Sequence, residues 1–254
     1  MAEFDTVQRA GVGTRATHID EGLRAHMNKV YGLMSIAMII TGAVAWAVGQ
    51  DVNAFFRTGQ TALIPAGVIE ALFTSPIRYV VMFAPLIMVF AFGAMINRLS
   101  QSAAQLFFYA FAAVMGLSIS WIFAVFTQMS VAQVFFVTSI AFASLSLWGY
   151  TTKKDISAWG SFLIMGVVGL IVASIVNIFL GSPALMFAIS AIGVLIFAGL
   201  TAYDTQKIKT TYLAMVEHGQ TEWLGKAAIM GALNLYLDFV NMFMFLLQLF
   251  GNRE

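Results

Sequence analysis

Residues 159–203 read WGSFLIMGVVGLIVASIVNIFLGSPALMFAISAIGVLIFAGLTAY, a stretch without a single charged side chain. An α-helix rises about 1.5 Å per residue, so a hydrocarbon core of about 30 Å takes roughly 20 apolar residues to cross. The stretch holds two such runs, which are separated only by Gly181 and Ser182. A link this short makes the two helices antiparallel neighbours. The segment therefore predicts a helical hairpin that crosses a membrane twice.

Five further apolar runs of similar length flank this hairpin. The composition agrees, because 60% of the 254 residues are hydrophobic and only 10% are charged, against roughly 25% charged residues in soluble domains. A transmembrane β-barrel would need short segments of alternating hydrophobicity, which the sequence lacks. We therefore expect an all-α membrane protein, a seven-transmembrane-helix bundle over residues 30–251 after a polar tail of residues 1–29. The predicted spans are residues 30–50, 79–98, 103–127, 131–150, 159–180, 183–204 and 227–250.

Lysine and arginine predict how the bundle lies in the membrane. Ten of the 13 basic residues fall in residues 1–29 or in the even-numbered loops. Cytoplasmic loops carry the excess of these residues, so we expect a cytoplasmic N-terminus and, after seven spans, a C-terminus outside. The tail is too long and too acidic for a cleaved signal peptide. The absence of cysteine fits a bacterial membrane protein. We expect a multi-pass protein of a bacterial inner membrane, with the lipid bilayer as partner.

Several other classes are disfavoured by the composition. Without cysteine there is no disulfide and no cysteine nucleophile. The three histidines form no metal-ligand pair, and no glycine loop suited to phosphate is present. A net charge of +1 gives no basic footprint for nucleic acid. We therefore expect no enzyme, no cofactor and no nucleic-acid partner.

The longest outer connection, residues 51–77, predicts one extra element. Its apolar patch, made by Val68, Ile69, Leu72 and Phe73, favours a short helix at the membrane surface. A re-entrant gating element is the alternative interpretation.

Three ionisable residues stand out because charged groups at bilayer depth are expensive. Asp238 lies inside the seventh run, while Asp204 and Arg98 close the sixth and second runs at the predicted cytoplasmic side. Two carboxyl groups brought together share a proton, and their oxygens suit a hard cation such as Ca²⁺. The pattern thus indicates a pH-gated ion path. The structural alternatives are a solvated boundary residue at Asp204, a snorkelling Arg98 and a helix-joining hydrogen bond at Asp238.

Three stretches resemble one known family. Residues 199–208, GLTAYDTQKI, and residues 235–243, LYLDFVNMF, resemble the sixth and last helices of the Bax inhibitor family, in the same order and at the same separation. Residues 23–31, LRAHMNKVY, resemble the bacterial branch of that family. The resemblance extends from about residue 23 to residue 251.

The resemblance implies a pH-sensitive, calcium-permeable leak channel. By this resemblance, Asp204 and Asp238 form a hydrogen-bonded pair that senses protons and binds calcium. Arg98 is implied as a latch that holds the aspartate of the sixth helix in the closed state. Some relatives carry a glutamate in the second span, and this sequence has none there.

Two rival functions belong to other classes. An intramembrane aspartyl protease would also place aspartates on consecutive helices, and the chain contains Tyr203-Asp204 and the run 183–185, Pro-Ala-Leu. However, Asp238 lacks the Gly-x-Gly setting of such enzymes, and the Pro-Ala-Leu run precedes both aspartates. The other rival is a non-conducting interaction or stress-regulatory protein, in which both aspartates could be neutralised without loss of activity.

Overall fold

The computed structural model describes the backbone of residues 2–253 and the side chains of residues 19–253. Within that range the chain is helical, with no strand beyond an isolated bridge between Phe126 and Arg253. Seven helical segments of the described chain are long and apolar enough to cross a membrane, which confirms the predicted seven-helix membrane protein. The helices are α1 (Ala2–Thr58), α2 (Ala66–Phe73), α3 (Ile77–Met95), α4 (Gln101–Ile119), α5 (Ile122–Val125), α6 (Gln128–Thr151), α7 (Trp159–Leu180), α8 (Pro183–Glu217) and α9 (Leu224–Phe250).

Helix α9 forms the centre of the bundle. In its most apolar 18-residue stretch 67% of the residues are buried, against 17% in α3 and in α7. It packs most extensively on α8, and also on α1, α6 and α4. Helix α3 packs chiefly on α4 and α2, and α7 chiefly on α8, so these two helices lie at the periphery without extensive contact with each other.

Two helices are longer than the apolar runs predicted. Helix α1 is continuous from Ala2 to Thr58, so the expected polar tail is helical, although the side chains of residues 1–18 lie outside the described part. Helix α8 continues past Asp204 to Glu217 instead of ending there. The extension is stabilised because Ile208 and Tyr212 remain buried on one side of it while polar residues cover the other.

The outer connection contains the short helix expected from its apolar patch, α2, in which Ile69 is fully buried. The preceding turn is fixed by Asp51, a buried residue near the end of α1. Its carboxylate accepts hydrogen bonds of 2.6–3.2 Å from the backbone N–H groups of Ala62, Leu63 and Ile64. This aspartate therefore has a structural partner for both oxygens.

Helix α8 is held tightly on the side that faces α1 and α6. A Cβ atom on Gly149 would collide with the backbone carbonyl of Ala202, so only glycine allows α6 to approach this closely. A chain of hydroxyl groups crosses the same contact. Thr205 donates to the carbonyl of Thr201, so Ser146 donates to Thr205 at 2.9 Å and Tyr31 donates to Ser146 at 2.6 Å. This side of α8 is therefore rigidly positioned.

Candidate functional site

Asp204 on α8 and Asp238 on α9 meet inside the bundle. Their carboxyl groups lie in hydrogen-bonding contact with each other. Asp238 is 4% exposed and Asp204 is half-buried. The extensive packing of α8 on α9 brings together two residues that are 34 positions apart in the sequence. The carboxyl pair is therefore built by the two most closely packed helices of the bundle.

A hydrogen bond between two carboxyl groups requires a proton on one of them, because a carboxylate has no donor. The two carboxyl groups can therefore bond to each other only while one of them is protonated. One oxygen of Asp238, Oδ2, is buried and accepts no hydrogen bond from an N–H or hydroxyl group of the described residues. Buried polar atoms nearly always have a hydrogen-bond partner. This oxygen can therefore accept a hydrogen bond from a water molecule or a ligand, or bind an ion.

One cavity reaches the carboxyl pair from the side of α3 and α7. This lateral cleft has a volume of about 660 Å³, and its walls are mostly apolar side chains of α3, α7 and α8, such as Leu86, Ile171 and Phe197. Several of the lining residues on α3 and α7 are exposed, which places the open side of the cleft on the surface that faces lipid. Polar groups in the cleft come from Ser118, Ser174, Asp204, Asn234, Asp238 and Asn241.

A second cavity reaches the pair from the opposite end. This lysine cavity has a volume of about 310 Å³ and is lined by His26, Asn97, Lys207, Trp223 and Lys226, among others. The ammonium of Lys226 lies over the Trp223 ring and donates to the backbone carbonyl of Asn97 at 3.4 Å. That contact joins the first turn of α9 to the turn after α3. Asp204 and Asn234 line both cavities, so the carboxyl pair lies where the two meet.

The predicted latch residue is not in contact with the pair. Arg98 lies in the turn after α3, is exposed, and forms no ion pair with Asp204 among the described residues. Its neighbour Asn97 nevertheless lines the lysine cavity. Arg98 is thus one residue away from the cavity that leads to Asp204.

The basic group that acts on Asp204 is instead Lys207, one turn further along α8. Its charge interacts with the Asp204 carboxyl group, and its ammonium lies 5.8 Å from the centre of the Tyr203 ring. Lys207 is one of the basic residues from which the topology is predicted. The sequence feature that indicates its contact with Asp204 is the i to i+3 spacing, because residues three apart on a helix lie side by side.

The site offers oxygen atoms of the kinds that bind calcium ions in proteins. Ca²⁺ takes about six to eight oxygen ligands, which can include carboxylates, amide carbonyls and water. The two carboxyl groups and the amides of Asn234 and Asn241 line one cleft. Within the described residues no group of three or more histidine and acidic side chains could hold a metal ion.

Comparison with known proteins identifies relatives along nearly the whole chain. A family model described as "Inhibitor of apoptosis-promoting Bax1" matches residues 23–254. Inner membrane protein YbhL of Escherichia coli strain K12 is 42% identical over 234 residues, which cover 92% of this chain and 94% of that protein. A protein of Caulobacter vibrioides is 44% identical over 242 residues, which cover 93% of this chain and 92% of the relative.

Proposed function

This chain belongs to the Bax inhibitor family, and we propose that it is a pH-sensitive, calcium-permeable leak channel whose barrier is the Asp204–Asp238 pair. One observation carries the proposal: the pair lies where the lateral cleft meets the lysine cavity. The name of the Escherichia coli relative supports a bacterial inner membrane as the location.

The proton shared by the carboxyl pair is the proposed sensor. When the pair loses that proton, two negative charges face each other and attract the basic groups beside them. Lys207 is already in range of Asp204, and Arg98 directly follows Asn97, which lines the same cavity. In the proposed closed state these basic groups hold the pair. Protonation removes the attraction, so we expect flux to rise as the pH falls.

Calcium is the proposed permeant ion, and the pair is its weak binding site. A divalent ion is drawn to two carboxyl groups more strongly than a monovalent ion of similar size. The walls of the cleft supply only a few other oxygens, so the ion keeps much of its water. Weak binding of this kind allows an ion to leave as well as to enter.

Calcium flux into proteoliposomes, measured from about pH 5 to pH 8, tests the proposal. We expect pH-dependent flux in the native protein, loss of that dependence in Asp204→Asn and Asp238→Asn, and more leak at neutral pH in Arg98→Ala.

The matched control is Asp155→Asn. Asp155 is exposed in the loop after α6, and hydrogen bonds from the Ser157 side chain and backbone hold the pKa of its carboxyl group below the ordinary value. It therefore stays ionised over this pH range, and its variant should behave like the native protein. Identical flux in all variants, or none at any pH, would instead favour the non-conducting interaction protein.

A further inference from the structure

The lateral cleft combines two features that the permeation of a small ion does not require. Its walls are apolar over most of their area, and its open side lies between α3 and α7, which share no extensive contact. Lining residues at the opening are exposed, including Met82, Leu86 and Ile175. A molecule dissolved in the bilayer could therefore enter the cleft without crossing water.

The inner end of the cleft carries an acceptor that lacks a donor. Asp238 is 4% exposed, lines the cleft, and leaves its Oδ2 atom without a partner among the described residues. Burying an oxygen without a hydrogen-bond donor raises the free energy of the folded protein. A charged donor offsets this best, because charge-assisted hydrogen bonds are the strongest. Lys207, the basic group that interacts with Asp204, lines the lysine cavity, and no described lysine or arginine lines the lateral cleft. A ligand in the lateral cleft can supply a donor for Oδ2.

A ligand that suits both features has a cationic donor at one end and an apolar chain behind it. We propose that the lateral cleft binds a single-chain primary alkylamine, with its ammonium on the Asp204–Asp238 pair and its chain between α3 and α7. The cleft volume of about 660 Å³ lies within the range of about 300–1,000 Å³ usual for small-molecule sites. An ammonium has three donors, enough for Oδ2 and for a neighbouring oxygen.

Occupation of this site would place a fixed cation where the two cavities meet. Calcium could not then reach the pair, so the amine acts as a blocker. This consequence rests on the proposed leak function, whereas binding itself does not. The site can therefore be tested without any flux measurement.

The test is the unfolding temperature of the protein in phosphatidylcholine nanodiscs, followed by fluorescence of its five tryptophans. Dodecylamine at about ten times its dissociation constant should raise the unfolding temperature of the native protein by about 3–6 °C. Dodecanol has the same chain without the cation, and butylamine has the cation without the chain. We expect no rise with either compound, and a clearly smaller rise with dodecylamine on Asp238→Asn, which keeps only the Asp204 carboxyl group.

A pair of phenylalanine substitutions separates the cleft from a general effect on the bilayer. Ser174→Phe fills the cleft from α7 and should abolish the dodecylamine shift. Ser144→Phe makes the same change at an exposed position of α6, away from the cleft, and should leave the shift unchanged. Equal shifts with dodecanol, with Asp238→Asn or with Ser174→Phe would overturn the proposal. A shift without any calcium flux would uphold the amine site and reject the channel.

Discussion

Asp51 and Asp238 are two buried aspartates of one bundle, 1% and 4% exposed, and their surroundings differ completely. Both oxygens of Asp51 accept backbone N–H groups of a single turn. Asp238 instead contacts another carboxyl group and leaves one oxygen without a partner. Burial alone therefore does not distinguish a structural carboxylate from a candidate functional one in this protein. The difference lies in whether the protein itself supplies donors for the charge.

The largest effect that this comparison predicts is on stability, from Asp51→Asn. The amide offers one oxygen where the carboxylate offers two, and its NH₂ group would face a backbone N–H. We expect a loss of about 2–4 kcal/mol in the free energy of unfolding, because a charge-assisted bond is lost and a donor is left unsatisfied. Thermal unfolding in nanodiscs measures the loss. The pH dependence of flux should not change, and a change there would make Asp51 part of the sensor.

The same substitution at Asp238 should have a much smaller effect on stability. The NH₂ group of an asparagine can donate to the Asp204 carboxylate, so the contact survives without a shared proton. We expect the free energy of unfolding to change by less than about 1 kcal/mol, or to increase, because a buried charge is removed. Thermal unfolding of Asp51→Asn and Asp238→Asn under the same conditions compares the two changes in the free energy of unfolding. A loss as large as that at Asp51 would mean that Asp238 is mainly structural.

Lys207→Gln tests how the neighbouring positive charge affects protonation of the carboxyl pair. Without the neighbouring ammonium, the charged form of Asp204 is less favourable, so protonation occurs at higher pH. We expect the midpoint of the flux profile to move upward by up to about 1 pH unit.

Lys226→Gln is the matched control for that shift, since its ammonium lines the same cavity but contacts the Asn97 carbonyl and the Trp223 ring. Its shift should be clearly smaller. Equal shifts from both lysines would mean that only the total charge of the cavity matters.

Much of the fold follows from hydrophobicity and length. The hairpin of residues 159–203 can be predicted because its two apolar runs carry no charge and the link between them has only two residues. The cost of charge in lipid also identifies Asp204 and Asp238 as candidates. Their contact depends on the relative rotation of α8 and α9, which the sequence pattern does not define.

Other features were hidden for identifiable reasons. Helix α8 was expected to end at Asp204, so Lys207 was assigned to a loop and not to the helix turn beside the aspartate. Asp51 could not be identified as a buried residue, because its donors are backbone groups 11–13 positions away, and backbone groups carry no sequence signal. The role of Arg98 stays a prediction, since its side chain is exposed.

The central claim is that the carboxyl pair is the barrier between the two cavities, and thiol labelling tests it most directly. The chain has no cysteine, so single cysteines can be placed at Thr211, in the lysine cavity, and at Asn241, in the lateral cleft. A membrane-impermeant cationic thiol reagent is added on the side of the lysine cavity. At neutral pH we predict rapid labelling of Thr211→Cys and almost none of Asn241→Cys, with the ratio of the two rates approaching one as the pH falls. Equal labelling of both at neutral pH would contradict a barrier at Asp204 and Asp238.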